Sequence, residues 1–297
     1  MLWQSYQVMT NLRETIERLA EKPGRARVVA GGTDLMIQML ERETQDDSLA
    51  LLDISQIEEI RGITESGPYL LIGAATTIAE LANSALVHTK ANALAQGASW
   101  LGSPQIRRVA TIGGNVVNAQ PAGDASVPLV ALGAEAHIVS PEGERDLLVE
   151  ELFQGVGVSL VNPCWEIVSH FRIPICEAPR RSSAMQRLAT RKAFTLPQLS
   201  VAVWLEMEEG GDRFHQVRIS AAPVEPTPWR ARRAEESLAN LPPTSENIKR
   251  AAQLARQDAN PRDSLRGSAK YRKEMVEVLT RRALIDALSN LNKVLYD

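Results

Sequence analysis

Apolar positions change period several times along the chain, and each change marks an element. Leu12, Ile16 and Leu19 recur at helical spacing behind Asn11 and Glu14, which have the spacing of a capping box, and Pro23-Gly24 ends the run. Residues 25–30 then read as a strand, and Leu35, Met36, Met39 and Leu40 as the buried side of a helix. Residues 49–54 read as a second strand. Strands alternating with helices predict a small parallel βαβ unit over residues 1–55.

A second lobe, residues 56–174, follows from Ile57 with a strand at 69–72 and a helix opening at Thr77, where Glu80 completes another capping-box pattern. Residues 91–101 predict a buried helix. Residues 127–132 are small and apolar, while 134–139 and 167–173 alternate as strands before Pro174. Residues 175–183, with Pro179 beside paired arginines and serines, predict a linker into a third unit, 175–297. There, residues 199–207 and 214–220 read as strands joined by a hairpin at Glu209-Gly210-Gly211-Asp212. Helical spacing returns at 248–256 and 271–291, with breaks at Leu241-Pro242-Pro243 and Asn260-Pro261. The overall expectation is an α+β protein.

Composition narrows the classes of function. At 297 residues and 44% hydrophobic, the chain is long enough to bury a substantial core in two or three domains. Its 33 basic and 36 acidic residues give a net charge of −3, so charge supplies no case for nucleic acid or an anionic membrane. No run of eighteen apolar residues occurs, and Trp3, Gln4 and Tyr6 interrupt any leader-like stretch, so a cytoplasmic protein is expected. Cys164 and Cys176 are too few for a disulfide framework, a four-cysteine iron–sulfur cluster or a structural zinc site within this chain, and are expected as reduced thiols.

Catalytic constellations are sparse. His88, His137, His170 and His215 lack ligand-like spacing, neither cysteine sits in a C-x-x-C motif, and no G-x-S-x-G elbow occurs. The acidic residues near 142–144 and 206–209 read as solvated turn or strand-end charges. Two glycine pairs stand out instead. Ala30-Gly31-Gly32-Thr33-Asp34 follows Val28-Val29, and Thr111-Ile112-Gly113-Gly114-Asn115 follows Val109-Ala110. Each is read as a β-like run feeding a tight turn, where glycine at positive φ turns successive bare amides toward one anion; together the two suggest a clasp for a diphosphate. Thr33, Asp34 and Asn115 have side chains suited to ribose, ribityl or phosphate groups, and equally to capping their own turns. With no G-x-G-x-x-G after a strand and no G-x-x-x-x-G-K-[ST], a nucleotide site here requires another fold.

Several ordered blocks resemble the FAD-binding medium subunits of the molybdenum hydroxylases, the xanthine dehydrogenase and carbon monoxide dehydrogenase family. They are Val28-Val29-Ala30-Gly31-Gly32-Thr33-Asp34-Leu35, residues 105–115, Pro121-Ala122-Gly123-Asp124, and residues 222–231 with 266–272. The resemblance implies a two-lobed FAD-binding domain of the vanillyl-alcohol-oxidase-like (PCMH) type followed by a smaller α+β C-terminal domain. It carries cofactor-binding positions onto Arg27, Val28, Val29, Ala30, Gly31, Gly32, Thr33 and Asp34, and onto Thr111, Ile112, Gly113, Gly114 and Asn115. Asp124 is implied to bind ribityl or ribose hydroxyls, Ile167 to lie near the adenine or ring system, and Arg187 to stand where the family has lysine. Arg108 replaces a family asparagine and Gln120 a family serine.

The function so implied is electron transfer. FAD in this chain would pass electrons from [2Fe–2S] clusters of a small subunit to NAD or another acceptor, while a large subunit with the molybdenum cofactor hydroxylates a substrate, in a xanthine dehydrogenase-like manner. No catalytic acid, base or metal ligand is assigned to this chain. A self-sufficient FAD oxidoreductase on the same fold, and a scaffold that has lost its flavin, are the alternatives.

Overall fold

The computed structural model describes residues 3–41, 49–175, 180–191, 195–210 and 212–292. Cys176, the 176–179 part of the expected linker and Gly211 of the expected hairpin lie outside the described residues.

The first lobe is a parallel three-stranded sheet in the order Ser5–Val8, Ala50–Asp53, Ala26–Val29. Asn11 caps the Leu12–Glu21 helix by accepting from the Glu14 amide at 2.9 Å, and Ile16 and Leu19 face inward. The edge strand Ser5–Val8 went unread because its side chains are mostly exposed, so no apolar run marks it. Otherwise the βαβ expectation holds, with the Leu35–Leu40 helix after the glycine turn, except that of its expected buried side only Met39 is fully buried and Leu40 is exposed.

The second lobe carries a five-stranded antiparallel sheet in the order Ile63–Ser66, Tyr69–Gly73, Ile167–Pro174, Glu135–Ser140, Gly143–Leu148. Six short helices belong to this lobe, from Ile78–Asn83, which has the full reciprocal capping box of Thr77 and Glu80, to Ser126–Leu132, whose seven residues are all buried. Phe171, Leu70, Ile72 and Ile78 are fully buried at its centre.

The run before the second glycine pair is a correction. Residues 104–109 form a helix, Pro104–Val109, begun by Ser103 as N-cap and Pro104 in the first turn, and Ala110 merely joins it to the next helix. Proline in the first turn behind a serine cap is a helix-start signal that outweighs the β-propensity of one valine. A second correction concerns the linker: its last residues already belong to the strand Arg181–Leu188.

That strand opens a four-stranded antiparallel sheet in the order Arg181–Leu188, Leu199–Met207, Phe214–Ala222, Trp229–Arg230. All nine residues of Leu199–Met207 are buried. One face of the sheet meets the helices Ser245–Asp258 and Ala269–Ser289. The other meets Ala93, Val127 and Ala131 of the second lobe through Met185, Ala202 and Ala222. Cover on both faces explains why this strand reads as a near-continuous apolar run.

Candidate functional site

The first glycine pair sits at the end of the strand Ala26–Val29, whose exit is fixed by the Ile54 amide donating to the Val29 carbonyl at 2.9 Å. Gly31 has no room for a side chain: a Cβ there would lie 2.1 Å from the Val109 carbonyl oxygen. Gly32 takes φ +65°, the left-handed region that favours glycine. The carbonyls of Gly32 and Asp34 accept from Met36 and Gln38 as the Leu35–Leu40 helix begins, but the amides of Gly31, Gly32, Thr33 and Asp34 donate to no described residue. Thr33 Oγ1 lies 3.4 Å from Asp34 Oδ2, and Asp34 does not cap the helix with its side chain. Arg27, on the strand behind, has a buried Nε with no partner among the described residues.

The second pair is built otherwise. Thr111 is the N-cap of the Ile112–Val117 helix, its hydroxyl accepting from the Gly114 amide at 3.1 Å. Ile112 donates to the Thr76 carbonyl at 3.0 Å, Gly113 to Ala74 at 2.9 Å and Asn115 to Thr111 at 3.0 Å. Neither Gly113 nor Gly114 has positive φ. The expected bare amides are therefore absent here, because the pair lies in the first turn of a capped helix whose N–H groups are engaged. Glycine is required at 113 for close approach, a Cβ there lying 2.8 Å from both the Ala74 Cβ and its carbonyl oxygen. Gly114 faces outward and is exposed.

These elements meet. The contact of Gly31 with Val109 puts the first loop against the end of the Pro104–Val109 helix, two residues before Thr111. Gln38 Nε2 reaches Asn118 Oδ1 at 3.4 Å across the same seam. Asn115 does not cap its own turn; its Oδ1 accepts from the Ala125 amide at 3.2 Å and braces the segment that carries Asp124.

Asp124 and Arg187 are paired and almost fully enclosed, with Nε donating to Oδ1 at 3.1 Å and side-chain exposures of 7% and 5%. Burial pushes the Asp124 carboxyl up to about 6, against the lowering pull of the Arg187 charge and hydrogen bond. Asp124 does not cap the helix Ser126–Leu132. Ile167 opens the strand Ile167–Pro174 beside Val139, its side chain packed with Ile54, Ile57, Ile60 and Ala75 in the core between the first two lobes. The structure thus brings the two loops and the Asn115–Ala125 brace together, sets Asp124 and Arg187 behind them, and commits the Ile167 side chain to the core.

Sequence reasoning missed the groups that hold this arrangement. Ala74 and Thr76 anchor the second helix through their carbonyls, and Thr195 accepts from Arg187 through its carbonyl. Backbone acceptors carry no residue signature; the small run Gly73-Ala74-Ala75-Thr76 was the only mark of close packing.

A loop of consecutive unpaired amides with one glycine at positive φ, beside a helix turn carrying an exposed glycine, presents the kind of donors that an anion can accept. Comparison with known proteins narrows the class. Residues 4–176 match the family described as "FAD binding domain in molybdopterin dehydrogenase", and residues 184–287 match "CO dehydrogenase flavoprotein C-terminal domain". The chain is 32% identical over 288 residues to a xanthine dehydrogenase FAD-binding subunit of Escherichia coli O157:H7, covering 96% of each. It is 30% identical to the carbon monoxide dehydrogenase medium chain of Hydrogenophaga pseudoflava, covering 94% of this chain and 95% of that one. Among solved structures, carbon monoxide dehydrogenase from Hydrogenophaga pseudoflava superposes with a TM-score of 0.88 at 29% identity, covering 96% of this chain and 97% of that one. Quinoline 2-oxidoreductase from Pseudomonas putida 86 gives a TM-score of 0.86 at 25% identity, with 97% of each chain covered. The chain belongs to the FAD-binding subunits of the molybdenum hydroxylase family, and is an oxidoreductase component. Among the described residues, no helix is long and apolar enough to cross a membrane.

Proposed function

We propose that this chain uses bound FAD to collect electrons from [2Fe–2S] clusters of a small partner subunit and to deliver them to NAD or another acceptor, within a complex whose large subunit carries the molybdenum cofactor. FAD supplies the conversion between one-electron and two-electron transfer. The protein's part is grip, orientation and shielding. The unpaired amides from Gly31 to Asp34 would hold the diphosphate, with φ +65° at Gly32 turning neighbouring N–H groups to one side and exposed Gly114 leaving open the approach from the second helix. Thr33 and Asp34 would take hydroxyls of the ribose or ribityl chain. Ile167 would approach the adenine or ring system through its backbone, since its side chain lies in the core.

A xanthine dehydrogenase-like complex is favoured among the possible settings, in line with the 32% identity to a subunit bearing that name. The observation that carries the reading is the row of free amides beside Gly32. It is tested by the absorbance spectrum of the purified chain and mass identification of the released cofactor, followed by NADH formation in the co-purified complex with xanthine as electron donor. Bound FAD with NADH formation is expected. FMN, or no flavin after incubation with FAD, overturns the cofactor grip, and FAD without electron delivery to any acceptor overturns the electron-transfer role.

A further inference from the structure

We propose that Arg187 is a positioning residue: through Asp124 and the Thr195 carbonyl it fastens the third sheet behind the cofactor loops, and so sets how the flavin is held without touching it. The proposal rests on the functional reading above and assigns Arg187 a different task from cofactor contact.

Its guanidinium is divided between two partners, Nε donating to Asp124 Oδ1 at 3.1 Å and one terminal nitrogen donating to the Thr195 carbonyl. Asp124 lies in the second lobe and Arg187 on the strand Arg181–Leu188 of the third unit, so the pair spans the boundary between them. The same strand is tied to the helix Asn92–Trp100 by the Met185 amide on Gln96 Oε1 at 2.6 Å and by the Ala93 amide on Ser183 Oγ at 3.0 Å. That helix presses on the Asp124 backbone: a Cβ at Gly97 would lie 2.1 Å from the Asp124 carbonyl oxygen. The next residue, Ala125, donates to Asn115 on the second glycine helix. A connected path therefore runs from Thr195 through Arg187, Asp124, Ala125 and Asn115 to Gly114.

A buried ion pair of this kind contributes little net stability against an apolar substitute, because both charges are desolvated. What it does well is fix one arrangement, since a displaced partner would leave a buried charge unpaired. Lysine, with a single ammonium centre, keeps the charge on Asp124 but lacks the planar fork that serves both acceptors.

The test uses the purified complex with four variants, Arg187→Met, Arg187→Lys, Asp124→Asn and the double Arg187→Met/Asp124→Asn, and reads the FAD dissociation constant, the visible circular dichroism of bound flavin and its midpoint potential. Arg187→Met and Asp124→Asn are each expected to weaken FAD retention about tenfold, the scale of one lost charge-assisted contact, and to alter the flavin dichroism. The double variant should bind no more weakly than the worse single, because both singles break one unit. Arg187→Lys, which keeps a charge for Asp124 but gives up the fork that also serves Thr195, should fall between Arg187→Met and wild type on both readouts. If Arg187→Met does not fold, Arg187→Gln, which keeps a donor for Thr195, decides on the same readouts. Lowered melting temperature with unchanged FAD affinity, dichroism and potential overturns the proposal, as does a double variant that multiplies the two single effects. A wild-type complex that takes up no FAD overturns the functional reading and this proposal together.

Discussion

The two glycine pairs resemble each other in sequence and differ in physical task. Gly31-Gly32 forms an open loop with four amides that donate to no described residue and one glycine at φ +65°. Gly113-Gly114 occupies the first turn of a capped helix whose amides are engaged by Ala74, Thr76 and Thr111. The difference teaches that a glycine pair has two separate uses. At the first, freedom of φ goes with amides left without a partner among the described residues; at the second, absence of a Cβ lets a helix turn lie against Ala74. The first loop is therefore the one with donors to spare, as the proposed grip requires, and the second lies beside it with its own amides engaged.

Gly31→Ala gives the sharpest break of that contrast. The added methyl meets the Val109 carbonyl oxygen at 2.1 Å and its carbon at 2.7 Å, both main-chain atoms that yield only if the loops separate. A loss on the order of 3 kcal/mol in urea unfolding is expected, at the upper end of overpacking costs, together with loss of FAD uptake.

Next in size is a pH effect from the ground behind the second loop. The Asp124 carboxyl is raised from 3.8 to about 6, so the folded chain binds this proton more tightly than the unfolded chain. Its contribution to stability is full below pH 3.8 and is lost as pH rises through about 6. At 1.36 kcal/mol per unit, about two units amount to roughly 3 kcal/mol, visible in urea titrations of the flavin-free chain between pH 4 and 7. Asp124→Asn should flatten that dependence.

Gly113→Ala should separate the two tasks. Its methyl would sit 2.8 Å from Ala74 Cβ and carbonyl oxygen, so about 2 kcal/mol of stability is expected to be lost. The FAD affinity of the protein that still folds should fall by no more than the tenfold expected of Arg187→Met, where Gly31→Ala loses uptake altogether, measured by flavin fluorescence quenching. A smaller version is Thr111→Val, which removes the N-cap hydroxyl that accepts from the Gly114 amide. It should cost about 1 kcal/mol in melting experiments and leave FAD affinity nearly unchanged.

Much of this fold was legible because local signals agreed with tertiary packing. The Thr77–Glu80 capping box, the turn at Pro23-Gly24 and the apolar run at residues 199–207 all appear where the residues suggested. Failures occurred where one face of an element is polar or where contact decides. Ser5–Val8 and Arg181–Leu188 are strands with exposed or half-buried polar positions, so their alternation was faint. Val109 reads as strand by propensity, yet Ser103 and Pro104 start a helix that ends on it. The first loop showed its character in its residues, since glycine after a parallel strand signals a sharp exit. The second did not, because its need for glycine comes from Ala74, thirty-nine residues earlier and visible only after folding.

The central claim, that the first pair offers its amides to the cofactor while the second holds its own inside the fold, is tested most directly by residue-resolved amide hydrogen exchange of the chain with and without FAD. Rapid exchange at Gly31, Gly32, Thr33 and Asp34 that becomes protected on adding FAD is expected, with Ile112, Gly113 and Asn115 protected in both states. Protection of the first loop without FAD, or an FAD-dependent change confined to the second, would contradict it.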